Sequence, residues 1–244
     1  MAKAVGNNPN EMSEGDHTSY DKDYFDNNGQ AGDRPALKMY ARILQRYITS
    51  PGAQILDYGA GVGYLSKWLS NYYTTLAYDL ADYCRVEIPK VSPKTTVLDS
   101  IDVLEPESLN GIITLHTLEH VSEPEDLIKK FNGLLKKGGL LFYVVPNPDG
   151  LGHTLKKNKW FAYRDKTHIS LLSSEKWKSL TEESGFKILK TSSDGFWDPP
   201  YLAYIPNIVQ KIMFIPTAAL MVLLKRLIYP DRFGEDLIVV AEKI

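Results

Sequence analysis

An acidic residue followed by three glycines at alternate positions carries the clearest chemical signal in this sequence. Asp57 ends a short apolar run, and Gly59, Gly61 and Gly63 follow it. Glycines in such a turn let backbone N–H groups approach a ligand closely. The spacing is G-x-G-x-G rather than the G-x-G-x-x-G of dinucleotide enzymes. An acid before the turn also suits a ligand with a positive charge better than a pyrophosphate, so the turn predicts a cofactor site of that kind.

A second carboxylate stands where such a cofactor site needs one. Asp79 closes the next apolar run, about 20 residues after the glycine turn, where an acid that binds a ribose diol is expected. A carboxylate can accept hydrogen bonds from both ribose hydroxyls. Asp79 is therefore the predicted ribose ligand, and an ordinary role at a strand end or helix cap is the alternative.

These residues require a sheet whose strands end at one edge. Apolar, partly β-branched runs predict strands at 55–57, 75–79, 95–98, 111–115, 140–145, 186–191 and 237–241. Helical periodicity and capping residues predict helices at 36–48, 64–72, 123–135 and 173–183, the third ended by the basic and glycine residues 136–139. This alternation predicts an α/β, Rossmann-like, doubly wound seven-stranded sheet that binds ligands beyond the carboxyl ends of its strands.

The motifs in this order resemble one protein family. Residues 57–63 resemble motif I of the class I S-adenosylmethionine (SAM)-dependent methyltransferases, and the H-x-L-E-H-V segment in 111–121 looks like the ubiquinone-biosynthesis-type (methyltransferase type 11/23-like) branch. Segments 134–139, 167–170 and 180–186 are similar to later parts of that branch, and 20–25 resembles the aromatic start of sugar- and polyketide-directed relatives. Asn110 and Gly111 depart from the family's usual Phe-Asp, which weakens the register around Asp99.

The resemblance implies SAM as the cofactor and assigns its site. In this family the glycine loop cradles the amino-acid end of SAM. Asp99 stands where neighbouring residues contact the adenine amino group, and Asp102 is close enough to compete. The implied cofactor-binding residues are Tyr24, Asp57, Tyr58, Gly59, Ala60, Gly61, Asp79, Leu80, Asp99, Ser100 and His116.

Three histidines, His116, His120 and His168, fall on segments that should face the cofactor end of the sheet. SAM carries an activated methyl group, so the protein chiefly has to align an acceptor with it. A general base helps when the acceptor arrives as a hydroxyl, and neutral histidine suits that task. His120 and His168 are the candidate bases, with capping or loop-tying roles as alternatives, and His116 is expected to line the methionine or sulfonium end. The spacings predict no metal site.

An insertion before the last strand, residues 198–234, contains the most hydrophobic stretch of the chain, residues 212–224. With Pro216 inside, these 13 residues fall short of the ~20 that span a bilayer. We expect one or two helices broken near Pro216. The favoured interpretation is a helical cap or lid over an apolar substrate pocket, to which Met213, Phe214, Leu220 and Met221 would contribute; Phe214 and Met221 are the predicted substrate residues.

Two other interpretations of the insertion stay open. One is attachment to a membrane surface, with basic residues (Lys211, Lys225, Arg226 and Arg232) at the headgroups. The other is a homodimer interface through residues 201–229. Both, like the lid, suit an apolar acceptor.

Length and composition favour one domain with additions. The 244 residues carry a net charge of −2, which argues against a nucleic-acid partner. Cys84 is the single cysteine, so neither an intrachain disulfide nor a cysteine metal site is expected. Residues 1–19 are predicted to be a disordered tail without a secretory signal, and residues 20–244 a class I methyltransferase domain with an N-terminal helical segment. The expected location is cytoplasmic, with peripheral membrane contact as an extension.

The sequence thus predicts methyl transfer from SAM to an oxygen, or with less support a nitrogen or carbon. The acceptor would be a small, apolar or lipid- or sugar-linked molecule of small-molecule or natural-product biosynthesis. Two alternatives are a SAM-binding or membrane-associated subunit without turnover and an NAD-type Rossmann oxidoreductase, against which the glycine spacing argues.

Overall fold

The computed structural model describes Tyr20, residues 22–27 and residues 32–244. The predicted disordered tail, residues 1–19, lies outside the described residues. The strands are β1 Gln54–Tyr58, β2 Thr74–Tyr78, β3 Thr96–Leu98, β4 Leu109–Leu115, β5 Leu135–Pro146, β6 Phe186–Ser193 and β7 Asp236–Lys243. The α-helices are α1 Lys22–Asn27, α2 Pro35–Leu44, α3 Tyr64–Leu69, α4 Asp82–Val91, α5 Pro124–Leu134, α6 Leu151–Lys156, α7 Ser174–Glu183 and α8 Asn207–Leu224.

The seven strands form one sheet in the order β3-β2-β1-β4-β5-β7-β6. Strands β1 to β5 pair in parallel, and β7 runs antiparallel between β5 and β6. The strand order reverses between β1 and β4, which creates a crevice at their carboxyl ends. The predicted doubly wound seven-stranded α/β fold is confirmed.

Helices cover both faces of the sheet because its central strands are apolar on both sides. On one face, Ile112 and Tyr143 pack with Phe131 of α5 and Trp177 of α7. On the other, the neighbouring strand residues pack with α2 and α3, among them Ile113, Phe142, Tyr40, Leu44 and Leu65. Neighbouring residues of one strand point to opposite faces, so this double burial fixes the register of the strands that carry the cleft.

The helix α7 begins and ends as its sequence predicts. The Ser173 hydroxyl accepts a hydrogen bond from the Lys176 amide at 3.2 Å, which caps the first turn. Gly185, beyond the last turn, has a φ of +85°, a conformation that glycine adopts without steric cost.

Several element boundaries were wrong in the sequence prediction. Helix α5 ends at Leu134, and residues 136–139 belong to β5 rather than to a helix cap. Leu109 pairs with Leu135 and Gly111 with Leu140, so the basic and glycine residues form an irregularity in the β4–β5 ladder. Helices α2 and α3 end earlier than predicted. Helices α4 and α6 were not predicted; α4 buries only two residues, Cys84 and Ile88, and so shows little helical periodicity.

The insertion forms a single helix. Helix α8 continues through Pro216, where a break was predicted. The missing Pro216 N–H removes one hydrogen bond of the helix, and packing on both sides of this position compensates: Gln210, Ala218 and Met221 are buried. Tertiary contacts therefore outweigh the local preference of proline.

Candidate active site

A cleft opens at the carboxyl ends of β1, β2 and β4. An adjoining depression shares Gly59, Gly61, Leu115 and His116 with it. The first part is lined by Tyr20, Tyr24, Phe25, Tyr58, Gly59, Gly61, Tyr78, Asp79, Leu80, Leu115, His116, Thr117 and His120. The second part is lined by Arg34, Leu37, Asp57, Gly59, Ala60, Gly61, Val62, Tyr64, Leu65, Leu115 and His116.

The glycine turn between β1 and α3 separates the two parts of the cleft. Gly59, Gly61 and Gly63 all have positive φ angles, of 72°, 53° and 92°. The amides of Gly59 and Ala60 donate to the Tyr78 carbonyl at 2.8 and 3.1 Å, which ties the turn to β2. A Cβ at Gly59 would collide with the side chain of Thr117. The turn thus forms a cradle that only glycine permits at this position.

Asp79 lies at the end of β2 and lines the first part of the cleft. Its carboxylate accepts from the Gly61 amide at 2.7 Å and the Ala81 amide at 2.9 Å. Burial raises the pKa of Asp79, while these two amides lower it. Each carboxylate oxygen has a second lone pair, so Asp79 can still accept hydrogen bonds from a ligand.

Asp57 lies beneath the glycine turn and lines the second part of the cleft. The Ser66 hydroxyl of α3 donates to its Oδ2 at 2.6 Å. Burial raises the pKa of Asp57 to about 7, against the lowering effect of the Ser66 hydrogen bond. A positively charged group placed near this carboxyl would favour its ionised form.

The substitution Asp57→Asn tests this buried acid. Because the folded pKa is raised to about 7, the stability linked to this proton is full below the unfolded pKa of about 4 and is lost as the pH rises towards 7. Asparagine keeps an acceptor for Ser66 without the charge. Urea unfolding should show the variant gaining about 2 kcal/mol relative to wild type between about pH 5 and about pH 8. A difference independent of pH would contradict the assignment.

Two predicted cofactor residues lie away from the lining of the cleft. Asp99 follows β3 and is exposed. The Ser100 hydroxyl accepts from the Asp102 amide at 3.1 Å and so caps a short turn. Asp102, the expected competitor, forms an ion pair of 2.6 Å with Lys130. The adenine role of Asp99 and Ser100 stays a prediction.

The hydrogen bonds of His120 fix its tautomer. Its Nδ1 lies 3.2 Å from the Thr167 carbonyl, which can only accept, so Nδ1 carries the proton. Nδ1 also lies 2.9 Å from the Thr167 hydroxyl, which donates to Asp165 Oδ1 at 2.5 Å. Burial lowers the pKa of His120, while Glu119 and Asp165 oppose this effect. The neutral ring therefore carries its lone pair on Nε2, and the residue lines the cleft.

His168, the other predicted base, lies behind His120 rather than in the lining of the cleft. Their ring centroids are 4.6 Å apart. His168 Nδ1 lies 2.7 Å from the Ala162 carbonyl and therefore donates to it. Its Nε2 lies 4.0 Å from Glu119 Oε1 and 3.9 Å from Asp165 Oδ2. This position suits a residue that supports His120.

His116 lies between two buried carboxylates. Its Nδ1 is 3.4 Å from Glu119 Oε1 and its Nε2 is 3.6 Å from Asp236 Oδ2. Its φ of +52° is uncommon for a residue with a side chain. The turn after β4 thus directs His116 into the lining of both parts of the cleft, where the sequence placed it.

The fold also brings together three potential metal ligands, which their spacing in the sequence did not predict to be a metal site. Ligand atoms of Glu119, His120 and His168 all lie within 4.8 Å of one another. Both carboxylate oxygens of Glu119 are buried and, among the residues that the structure describes, neither accepts a hydrogen bond; the His116 Nδ1 atom lies 3.4 Å from Oε1. A protonated histidine or a cation could balance this carboxylate, and chelation of the purified protein distinguishes the two.

Sequence reasoning missed Thr117, which lines the cleft, and three residues around His120. Asp165 and Glu119 were given no role, and Thr117 and Thr167 were not considered. Asp165 also accepts from the hydroxyl of Tyr24, a predicted cofactor residue, at 2.8 Å. No sequence signal connects residues 165–167 with His120, because a separation of 47 residues is closed only by the fold.

The predicted substrate residues do not line the cleft, and this part of the prediction is corrected. Met221 is fully buried in the core beside α2. The Phe214 ring packs against Phe196 and Tyr201, with centroid distances of 5.2 and 4.9 Å. The inner face of α8 holds the helix on the domain, and most of its apolar residues point outwards. No residue of α8 is part of the lining of either part of the cleft, as far as the chain is described.

Comparisons with known proteins agree with this geometry. The profile of a family described as a methyltransferase domain matches residues 32–191. The chain is 32% identical over 113 residues to a ubiquinone biosynthesis O-methyltransferase of Xanthomonas campestris pv. campestris, a match that covers 41% of this chain and 46% of that protein. A ubiquinone biosynthesis O-methyltransferase of Coxiella burnetii is 26% identical over 114 residues, covering 43% and 49%. The matches thus span about half the length of these curated relatives.

Solved structures share the fold. The chain is similar to a SAM-dependent methyltransferase from Archaeoglobus fulgidus with a TM-score of 0.63 and 21% identity, covering 91% of this chain and 100% of that one. At this identity the likeness establishes the architecture of the sheet and its helices.

Proposed function

Because this chain belongs to the methyltransferase-domain family, whose structural relatives include SAM-dependent enzymes, we propose that it methylates a hydroxyl oxygen of an apolar acceptor. Methyl transfer and SAM as the donor follow from the family. The choice of oxygen rests chiefly on one observation: a neutral histidine, His120, lines the cleft with its Nδ1 proton engaged by Thr167.

The residues around the glycine turn fit SAM. The turn offers a cradle that a Cβ at Gly59 would fill. The Asp79 carboxylate has acceptor capacity left for the ribose hydroxyls. Asp57 lies under the same turn, on the side where a cationic amino-acid end would benefit from a carboxylate. Ala60, Tyr58, Leu80 and Tyr24 complete the proposed site, and His116 faces both of its parts.

Bound SAM supplies an electrophilic methyl group, and the protein has to orient the acceptor and remove its proton. Nε2 of His120 would accept the proton from the acceptor hydroxyl as the oxygen becomes a nucleophile. Thr167 keeps the ring oriented through Nδ1. The resulting imidazolium would be stabilised by Glu119 and Asp165, whose charges favour the protonated ring.

The acceptor is proposed to be a hydroxylated ring with an apolar substituent. Two aromatic side chains outside the proposed SAM site, Tyr20 and Phe25, line the cleft. The Tyr20 ring centroid lies 6.1 Å from that of His120, and rings of this kind suit a flat, apolar partner. The curated relatives are named O-methyltransferases of ubiquinone biosynthesis. This name supports the same class of acceptor here.

A direct assay tests the proposal. Purified protein with isotopically methyl-labelled SAM is offered a matched panel of phenols, catechols, anilines and thiols, each with and without an alkyl tail. We expect label on the oxygen of the tailed hydroxyl compounds. Label on nitrogen or sulfur would overturn the choice of oxygen. SAM binding without transfer to any member of the panel or to a lipid extract would favour the alternative of a SAM-binding subunit without turnover.

A further inference from the structure

The outer face of helix α8 is apolar along its whole length. Residues at a spacing of three and four fall on one side of a helix, and here that side contains no polar residue. Ile212 is 70% exposed and Leu223 is 75% exposed. This stripe, called the outer face below, consists of Ile208, Ile212, Ile215, Ala219 and Leu223.

The opposite side of α8 is fixed to the domain. The side-chain amide of Gln210 accepts from the Tyr201 and Leu202 amides at 2.6 and 2.8 Å. It also donates to the Leu202 and Ile205 carbonyls at 2.8 and 2.7 Å. The Tyr229 hydroxyl bonds to the Thr217 carbonyl at 2.7 Å. These contacts hold the helix in an orientation that leaves its outer face exposed. By length and composition the helix is apolar enough to cross a membrane.

The charged residues between Asp198 and Asp231, the segment that contains the outer face, all have one sign. Residues 199–230 contain Lys211, Lys225 and Arg226 and no acidic residue. All three basic residues are exposed, and none forms an ion pair with any part of the chain that the structure describes. Tyr204, at the beginning of this segment, is fully exposed, and tyrosine is enriched where membranes meet water.

We propose that the outer face of α8 docks this protein on an anionic membrane surface, with the helix in the plane of the interface. An apolar stripe flanked by basic residues matches acyl chains bordered by anionic headgroups. A second copy of the chain is the poorer match. In a two-fold dimer the same patch faces itself. The three basic residues would then face the basic residues of the second copy, and residues 199–230 offer no acidic partner to either set.

Docking in this way would place the cleft near the membrane. Helix α8 packs against α2, and Leu37 of α2 with the preceding Arg34 lines the second part of the cleft. An acceptor dissolved in the bilayer would then have a short route to the enzyme. The docking inference itself does not depend on the proposed methylation chemistry.

Vesicle flotation tests the proposal. We expect the wild-type protein to float with vesicles of phosphatidylcholine containing about 30 mol % phosphatidylglycerol and to bind pure phosphatidylcholine more weakly. The double variant Ile212→Asp/Leu223→Asp should lose flotation. Lys225→Ser and Arg226→Ser should each weaken partitioning by about fivefold, an effect that added salt should also produce.

The matched control places aspartates on exposed apolar residues elsewhere. Val86→Asp/Leu189→Asp adds the same charge on α4 and β6, where the side chains are 60% and 38% exposed, and should float like wild type. Circular dichroism checks that every variant is folded. A folded wild type that ignores both kinds of vesicle overturns the proposal. A second result would also overturn it. Sedimentation would show that the wild type and the control are dimers and that the α8 variant is a monomer, while none of the three floats with vesicles.

Discussion

Replacing His120 by glutamine is expected to lower kcat by about 10²–10⁴-fold, the usual contribution of a general base. The affinity for SAM should stay near that of wild type, because the ribose and glycine-turn contacts do not involve this ring. The rate of wild type should also fall as the pH drops below the ordinary histidine value, since burial lowers the pKa of His120 and the base is lost only on protonation. Steady-state kinetics over this pH range, with calorimetry of SAM binding, measures both effects.

The matched control for His120→Gln is His153→Gln. His153 also donates from Nδ1 to a carbonyl, that of Pro148 at 2.6 Å, but it lies away from the cleft lining. Its variant should retain turnover. Thr167→Val should give a smaller loss, mainly in kcat, because the Thr167 carbonyl remains, and Thr167→Ser should restore activity. Full turnover by His120→Gln would mean that the enzyme needs no general base at this position and acts by aligning the acceptor with the methyl group. Loss of wild-type turnover on chelation would instead favour a metal at Glu119, His120 and His168.

Replacing Asp79 by asparagine is expected to weaken SAM binding by about 1–3 kcal/mol, or roughly 5–150-fold, the range for hydrogen bonds to a charged group. The amide keeps the shape of the carboxylate but loses its charge and one acceptor oxygen. Calorimetry of SAM binding measures the effect, and the melting temperature without ligand shows whether the glycine turn survives. The turn is a concern because Asp79 also holds the Gly61 and Ala81 amides.

Asp82→Asn is the control for Asp79→Asn. Asp82 begins α4, pairs with Arg85 and is largely exposed, so its loss should leave SAM affinity unchanged. Equal binding by Asp79→Asn and wild type, with melting temperatures alike, would falsify the ribose assignment. A fall in melting temperature together with affinity would point to collapse of the turn, and Asp79→Glu, which keeps the charge, would then separate charge from shape.

The places of the glycine turn and of Asp79 in the lining of the cleft were predictable from the sequence. Gly59, Gly61 and Asp79 belong to two consecutive strand ends, and consecutive parallel strands bring their carboxyl ends together. The alternation of apolar runs likewise determines a seven-stranded sheet. Helix α4 was not predicted because it buries only two residues and so shows little helical periodicity. Helix α8 continues through Pro216 because packing on both sides of this residue outweighs the tendency of proline to end a helix.

The surroundings of the proposed base were predictable only in part. The sequence placed His120 at the cofactor end of the sheet, where it lines the cleft. Its tautomer depends on Thr167 and Asp165, which no periodicity or spacing connects with it. His168 lies one layer deeper than expected, since its Nδ1 is bound to the Ala162 carbonyl. Side-chain direction in loops is set by tertiary contacts, and a single sequence contains no record of them.

If the outer face of α8 docks on a membrane, the rate of methylation should depend on the concentration of acceptor in the membrane surface rather than on its concentration in water. For an enzyme docked on a bilayer, an acceptor dissolved in that bilayer is diluted by lipid rather than by water. At constant total acceptor, adding inert anionic phospholipid should therefore slow methylation, and adding buffer should not. Velocity would follow the mole fraction of acceptor in the surface. Ile212→Asp/Leu223→Asp, which removes the apolar contact, should return the enzyme to a dependence on bulk concentration.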